Sequence, residues 1–172
     1  AEVTLSALQR IGFFSRHEQP VVEHAGRVER GQVPLQEVYL VLTDHCNLRC
    51  SYCFSTPLAS PRAMSSDILK ATIDYLAREA DSQRGLRLIL WGGEPLLNRS
   101  LLRLALSYGK EAFRRQGKPL LFATTTNATL IDAEIAELLA STGVVVNLSL
   151  DGAAASHDAF RLYPNGRPSY KD

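Results

Sequence analysis

The residues best suited to chemistry are the three cysteines of the chain, Cys46, Cys50 and Cys53, which lie together in one short stretch. Three thiols in one loop cannot all form disulfides with one another, because one is always left over. A metal centre can use all three. The spacing C-x-x-x-C-x-x-C allows a loop to wrap three sulfurs around a [4Fe–4S] cube and leaves the fourth iron open. The stretch therefore predicts a cluster with one open coordination position.

A zinc site is the alternative use of the same cysteines. C-x-x-C pairs bind zinc in many proteins, and His45 is available as a fourth ligand. However, the side chains of His45 and Cys46 diverge as neighbours, and the sequence has no second C-x-x-C or H-x-x-x-H pair. A non-catalytic, zinc-binding α/β module that binds a partner therefore stays open as a second hypothesis.

Length and composition are those of one globular domain. The 172 residues are 45% hydrophobic and 22% charged, and the formal net charge is +1, so charge gives no reason to expect a nucleic acid partner. The sequence shows no secretion signal, and no apolar run approaches the about 18 residues of a membrane helix. We expect no membrane partner and a location in the reducing cytoplasm, where an oxygen-labile cluster survives.

From residue 37 onward the pattern alternates between strands and helices, which is typical of an α/β fold with a parallel sheet. The strands predicted from apolar runs are 38–43, 86–91, 120–124 and 144–150. The first is apolar at successive positions, as in a strand that is covered on both faces. Helices are predicted between the strands, and none is predicted after the fourth. The residues expected to cap or stop these helices are Ser65 or Ser66, Asn98, Asp132 and Gly143.

Residues 1–36 precede this alternation and are predicted to form a separate N-terminal helix and an extended lead-in to a domain at 37–172. An amphipathic helix is indicated by Leu5, Leu8, Ile11 and Phe14, which share one helix face. Such a helix could dock a leader peptide. A cap that packs on the next domain is the favoured interpretation, because amphipathic helices usually serve a core.

Polar residues follow the strands at their carboxyl ends, where ligands bind in parallel α/β folds. Gly92 and Gly93 would allow a ligand to approach the backbone, and Glu94 adds a carboxylate, although such a turn also occurs without a ligand. The polar run 124–127 suits either a wet cavity or the turn at a strand end. The residues of the fourth strand that share its polar face are Asn147, Ser149 and Asp151.

Four motifs in this order resemble those of the radical S-adenosylmethionine superfamily. The first is C-N-L-R-C-S-Y-C-F at 46–54, with the aromatic Tyr52 before the last cysteine. G-G-E-P at 92–95 and T-N-A-T-L at 126–130 follow, the latter with Ala128 where the family has glycine. The fourth, S-L-D-G with a later H-D-x-x-R at 149–161, resembles the sulfatase-maturase and peptide-maturase branch, which commonly carries a C-terminal SPASM domain with auxiliary clusters.

The resemblance implies a partial (β/α)6 barrel of the TIM-like type, of which this chain holds about the first four strands. We therefore expect the chain to be part of a longer protein with two further units and a cysteine-rich domain. Because Ala128 replaces glycine, the loop around it is expected to adopt a slightly different backbone angle. Arg161 could instead be a surface residue at the start of a helix.

The resemblance also implies the chemistry. Cys46, Cys50 and Cys53 would ligate the cluster, and S-adenosylmethionine would bind the open iron and be cleaved reductively to a 5′-deoxyadenosyl radical. In the family, G-G-E-P holds the methionyl amino group, and the matching serine and arginine contact the ribose and carboxylate. The implied cofactor contacts are Tyr52, Gly92, Gly93, Glu94, Asn127, Ser149 and Arg161. The implied substrate is a peptide or protein, and the electron donor is a flavodoxin or ferredoxin; no residue that completes the reaction is identifiable.

Overall fold

The computed structural model describes residues 35–55 and 62–172. The predicted N-terminal helix lies outside the described residues. The strands and helices, in chain order, are β1 (Glu37–Thr43), α1 (Ser66–Glu79), β2 (Leu86–Gly92), a 3-10 turn (Pro95–Leu97), α2 (Arg99–Arg115), β3 (Leu120–Thr126), α3 (Ala133–Thr142), β4 (Val145–Leu148) and α4 (Ala154–Asp158).

The four strands form one parallel sheet in the order β1-β2-β3-β4, which confirms the predicted fold class. Every strand lies within two residues of its predicted bounds. The largest differences are that β3 continues to Thr126 and β4 ends at Leu148. Beyond the end of β4, the N–H of Ser149 still donates to the carbonyl of Thr126 at 2.9 Å. The sheet therefore guides the chain into the fourth loop.

Side chains cap the helices at the predicted positions. Ser65, Asn98 and Asp132 each accept a hydrogen bond from a backbone N–H in the first turn of α1, α2 and α3, respectively. Gly143 ends α3 with a φ of 70°, a left-handed angle that glycine adopts without steric cost. The expectation that no helix follows β4 is wrong, because α4 begins at Ala154. Its short length and lack of a side-chain cap leave little pattern in the sequence.

The hydrophobic core lies between the helices and one face of the sheet. Its buried members include Leu40, Leu42, Leu88, Leu90 and Phe122 from the strands and Leu69, Ile73, Leu102, Leu106 and Ile135 from the helices. On the other face of β1, Tyr39 and Val41 are 55% and 48% exposed. Among the residues that the structure describes, the predicted cover of β1 is therefore present on one face, the one on which α1, α2 and α3 pack. None of the described helices combines the length and the apolar character that a membrane span requires.

Candidate cofactor site

A cavity of about 620 Å³ opens at the carboxyl edge of the sheet. This volume is within the range of small-molecule sites, and the position is the one that parallel α/β folds favour for ligands. The loops after all four strands contribute to it. Its lining includes every site residue predicted from the sequence: Cys46, Cys50, Tyr52, Cys53, Gly92, Gly93, Glu94, Asn127, Ser149 and Arg161.

The three cysteines are free thiols that face this cavity. The Sγ of Cys46 lies 3.4 Å from the N–H of Leu48, and the Sγ of Cys50 lies 4.0 Å from Nη1 of Arg161. Burial raises the pKa of both thiols, although these two donors partly oppose the shift. Binding of a metal would therefore have to displace protons from the sulfurs.

The donor set suits an iron–sulfur cluster. A [4Fe–4S] cube with one open iron takes three cysteine sulfurs, each on a different iron, and hydrogen bonds to these sulfurs tune it. The loop supplies three free sulfurs on one cavity, and the N–H groups of Leu48 and Arg161 lie near two of them. Within 35–55 and 62–172, no three His, Cys, Asp or Glu side chains converge on one point as ligands of a single ion.

Gly92 and Gly93 are required by the packing of two loops against each other. A Cβ on Gly92 would lie 2.1 Å from the carbonyl oxygen of Thr43, and one on Gly93 would lie 2.5 Å from that of His45. The N–H of Gly93 donates to Thr43 and that of Glu94 donates to His45. The sequence analysis attributed these glycines to the approach of a ligand. The structure shows that they first allow the loop after β2 to join the loop that carries the cysteines.

Glu94 is a buried carboxylate, 1% exposed, that connects the loops after β2 and β3. Its Oε1 accepts hydrogen bonds from the Leu96 N–H at 3.1 Å and the Thr126 hydroxyl at 2.7 Å. Its Oε2 accepts one from the Asn127 N–H at 2.9 Å. Burial raises the pKa of Glu94, and the three hydrogen bonds oppose that shift. The carboxylate thus fixes the local backbone, whatever else it contacts in the cavity.

The run 124–127 serves both roles that the sequence left open. The hydroxyls of Thr124 and Thr126 are buried and donate to the Leu90 carbonyl and to Glu94. Thr125 and Asn127 line the cavity. This strand end is therefore polar because of its internal hydrogen bonds as well as its contact with the cavity.

Asn127 joins β3 to the cysteine loop, which we define as residues 46–53. Its Nδ2 donates to Oδ1 of Asn47 at 2.9 Å and lies 3.9 Å from the Sγ of Cys46. Its Oδ1 accepts from the Thr129 hydroxyl at 2.8 Å, and that hydroxyl accepts from Nδ2 of Asn47 at 2.8 Å. The three side chains form a closed ring of hydrogen bonds beside a proposed cluster ligand.

Ala128 stands in the T-N-A-T-L motif with a φ of 67°. The hydrogen bonds of the neighbouring Thr126 and Asn127 hold the turn, because the N–H of Ala128 donates to the Thr126 hydroxyl at 3.0 Å. The alanine is consequently in a left-handed conformation that disfavours a Cβ.

Arg161 faces the cavity and is not a surface residue. Its side chain is 14% exposed, and its Nε lies 3.0 Å from Oδ2 of Asp151, without the alignment of a hydrogen bond. It follows α4 by three residues and is not at a helix start. The Tyr52 hydroxyl donates to the same oxygen of Asp151 at 2.5 Å, and the guanidinium lies 5.4 Å from the Tyr52 ring centre. Arg161 and Tyr52 thus share one carboxylate.

These contacts shift the pKa values of Asp151 and Tyr52. The hydrogen bond from Tyr52 and then the adjacent guanidinium of Arg161 hold the pKa of Asp151 below its usual range. Burial, and then the hydrogen bond to Asp151, raise the pKa of Tyr52 to about 12. At neutral pH, these three side chains are therefore a cation (Arg161), an anion (Asp151) and a neutral phenol (Tyr52).

Asp151, Asn47 and Thr129 also belong to the site, although no role for them was expected from the sequence. Asp151 was placed on the polar face of the fourth strand, but no role was assigned to it. The sequence held one signal for Asn47, its position between the first cysteine and the rest of the motif. Thr129 belongs to the T-N-A-T-L motif, but no local pattern pairs it with Asn47, which is 82 positions away.

A parallel α/β sheet with three free thiols and a loop-lined cavity at its carboxyl edge is the arrangement expected of a cofactor-binding protein of the α/β class. The profile of the radical SAM superfamily matches residues 40–172. The chain therefore belongs to the radical SAM superfamily, a superfamily of enzymes, as the motifs predict.

Relatives and solved structures agree with this membership. The chain is 34% identical over 138 residues to an uncharacterized protein of Methanocaldococcus jannaschii, covering 80% of this chain and 46% of the relative. It is 27% identical to the cysteine-type anaerobic sulfatase-maturating enzyme of Clostridium novyi, covering 74% and 35%. The structure of native anSMEcpe with bound AdoMet superposes with a TM-score of 0.72 at 26% identity, covering 80% of this chain and 38% of that one. The chain thus spans less than half the length of these relatives.

Proposed function

We propose that this chain is the cofactor-binding portion of a radical SAM enzyme that modifies a peptide or protein, with residues 37–172 as the first part of its core domain. The observation that carries the proposal is the meeting of ten predicted site residues from four loops on one cavity. Membership of the superfamily implies a [4Fe–4S] cluster and S-adenosylmethionine. AdoMet is bound in the anSMEcpe structure. The comparisons give no support to a zinc-binding partner module.

Each group of residues has a distinct role in this proposal. Cys46, Cys50 and Cys53 hold the cluster. Arg161 offers a guanidinium that can form a charge-assisted fork with the carboxylate of S-adenosylmethionine. When bound, the two cofactors supply reductive cleavage of a sulfonium and hydrogen abstraction, which side chains alone do not provide. The protein fixes their orientation.

The remaining proposed contacts come from the other loops. The Gly92–Glu94 turn holds the amino group of S-adenosylmethionine. Ser149, which follows β4, contacts the ribose, and Tyr52 and Asn127 complete the lining. Arg161 already lies beside Asp151. To bind the carboxylate of S-adenosylmethionine, Arg161 would therefore have to contact both carboxylates or leave Asp151.

The peptide substrate is proposed from a structural neighbour. A second structure of native anSMEcpe holds both AdoMet and the Cp18Cys peptide, and it superposes with a TM-score of 0.71 at 25% identity. The cysteine-type sulfatase-maturating relative points to the same class of substrate. A flavodoxin or ferredoxin would deliver the electron that reductive cleavage consumes.

Anaerobic turnover tests the proposal. After reconstitution with iron and sulfide, the chain is incubated with S-adenosylmethionine and dithionite, and 5′-deoxyadenosine is measured by chromatography. We expect its formation in the wild type and its loss when all three cysteines are replaced with alanine. The variant Ser107→Ala, on the exposed side of α2, is the control for handling. Formation of no 5′-deoxyadenosine by a reconstituted wild type would contradict the proposal.

A further inference from the structure

The cysteine loop receives backbone support from a segment more than a hundred residues away. The N–H of Arg49 donates to the carbonyl of Leu162 at 2.7 Å, and the N–H of Ser51 donates to that of Phe160 at 3.0 Å. Within the loop, the N–H of Cys53 donates to Cys50. The position of residues 160–162 therefore determines where the backbone around Cys50 lies. We refer to residues 160–162 as the brace.

A buried histidine, His157, is hydrogen-bonded to Asp151 before it in the chain and, through Ser169, to the brace after it. His157 is 4% exposed, and its Nδ1 accepts a hydrogen bond from the N–H of Asp151 at 3.4 Å. Its Nε2 lies 3.0 Å from the hydroxyl of Ser169, which is also buried. That hydroxyl donates to the carbonyl of Arg161, within the brace, at 2.7 Å.

These partners define the proton positions in the chain of hydrogen bonds. Because Nδ1 of His157 accepts, the neutral ring carries its proton on Nε2, which donates to the Ser169 oxygen. The Ser169 hydroxyl is then free to donate to Arg161. Every buried polar atom of this pair has a partner, as buried groups require. The carboxylate of Asp158 adds to the anchor, since it accepts from the N–H groups of Ser169 and Tyr170 at 3.1 and 2.9 Å.

The imidazole ring of His157 also positions Asp151 and Arg161, the second of which lies beside Cys50. It holds the backbone of Asp151 directly and that of Arg161 through Ser169, and the side chains of these two residues meet at 3.0 Å. Tyr52, within the cysteine loop, donates to the same carboxylate oxygen of Asp151. His157 therefore acts on the loop through the brace and through this group. It does not line the cavity, so it has no direct contact with a ligand there.

We propose that His157, acting through Ser169, is a positioning residue that holds the brace against the cysteine loop and so sets the geometry of Cys50 and Arg161. This inference deepens the proposed function, on which its importance for catalysis rests. The positional role itself concerns contacts between residues of the chain and is measurable without any cofactor.

Amide hydrogen exchange, followed by mass spectrometry on the reduced apo chain, tests the role. His157→Ala and Ser169→Ala are each expected to speed exchange about tenfold at the Arg49 and Ser51 amides, as the loss of about one hydrogen bond implies. Exchange in α2 should be unchanged. Ser107→Ala, a matched serine substitution on α2, should leave the cysteine loop as in the wild type. His157→Gln keeps a side-chain N–H donor and should restore part of the protection.

The outcomes separate this role from general stability. Unchanged exchange in the cysteine loop of His157→Ala, or a rise of the same factor in α2, would overturn the proposal. A second readout is the rate at which a chelator removes iron from reconstituted protein, which should rise in His157→Ala and Ser169→Ala. A wild type that binds no cluster would contradict the proposed function, while the exchange data would still decide the role of His157.

Discussion

Replacing Glu94 with alanine should destabilise the fold by about 2–3 kcal/mol. The substitution removes the acceptor of three hydrogen bonds, from Leu96, Thr126 and Asn127, each worth about 1 kcal/mol in the net balance of folding. Part of this loss is offset, because burial disfavours the carboxylate charge that the alanine no longer carries. Glu94→Gln keeps one acceptor oxygen, but its side-chain NH2 group would face one of the three donors and could not accept from it. A smaller loss of about 1 kcal/mol is therefore expected.

Urea unfolding of the reduced apo chain, monitored by far-ultraviolet circular dichroism, measures both changes. Glu137→Ala is the matched control, because Glu137 is exposed on α3 and its removal should change the free energy of unfolding by less than about 0.5 kcal/mol. If Glu94→Ala were no less stable than Glu137→Ala, the carboxylate would not connect the loops after β2 and β3. The structural role assigned to Glu94 would then be wrong.

Three further predictions follow from single residues. Ala128→Gly should raise the free energy of unfolding by up to about 1 kcal/mol, because its φ is 67°, whereas Ala140→Gly on α3 should lower it by about 1 kcal/mol; urea unfolding compares the two. As pH rises above about 4.3, the ordinary pKa of a glutamate, the wild type should lose stability relative to Glu94→Gln, because the folded state binds the proton of Glu94 more tightly; a reversed slope would contradict the raised pKa. Arg161→Ala should weaken binding of S-adenosylmethionine about ten- to a hundredfold in anaerobic calorimetry and leave the cluster assembled; unchanged affinity would exclude Arg161 from the cofactor contacts.

The strands and the helix caps were predictable because their signals are local. Apolar runs placed all four strands, and Asn98 and Asp132 begin helices where a polar side chain precedes an apolar pattern. Their parallel arrangement followed from the connections between them. The cavity was predictable in outline for the same reason, since the carboxyl ends of parallel strands share one edge.

The contacts inside the site were not predictable in the same way. Asp151 lies in the S-L-D-G motif, but its hydrogen bond to Tyr52 spans 99 positions of sequence, and no local pattern pairs the two residues. His157 matched a family motif, but its role depends on Ser169 and on the brace, which lie in irregular segments. For Gly92, the approach of a ligand could be predicted from the sequence, whereas its close packing against the Thr43 carbonyl could not.

The content of iron and acid-labile sulfide per chain tests the central claim most directly. Anaerobic reconstitution followed by elemental analysis should give about four of each per chain, with a brown colour that fades in air. Replacement of Cys46, Cys50 or Cys53 with alanine should abolish the cluster in each case. About one zinc per chain and no sulfide would contradict the account, because the three cysteines would then form a site of a different kind.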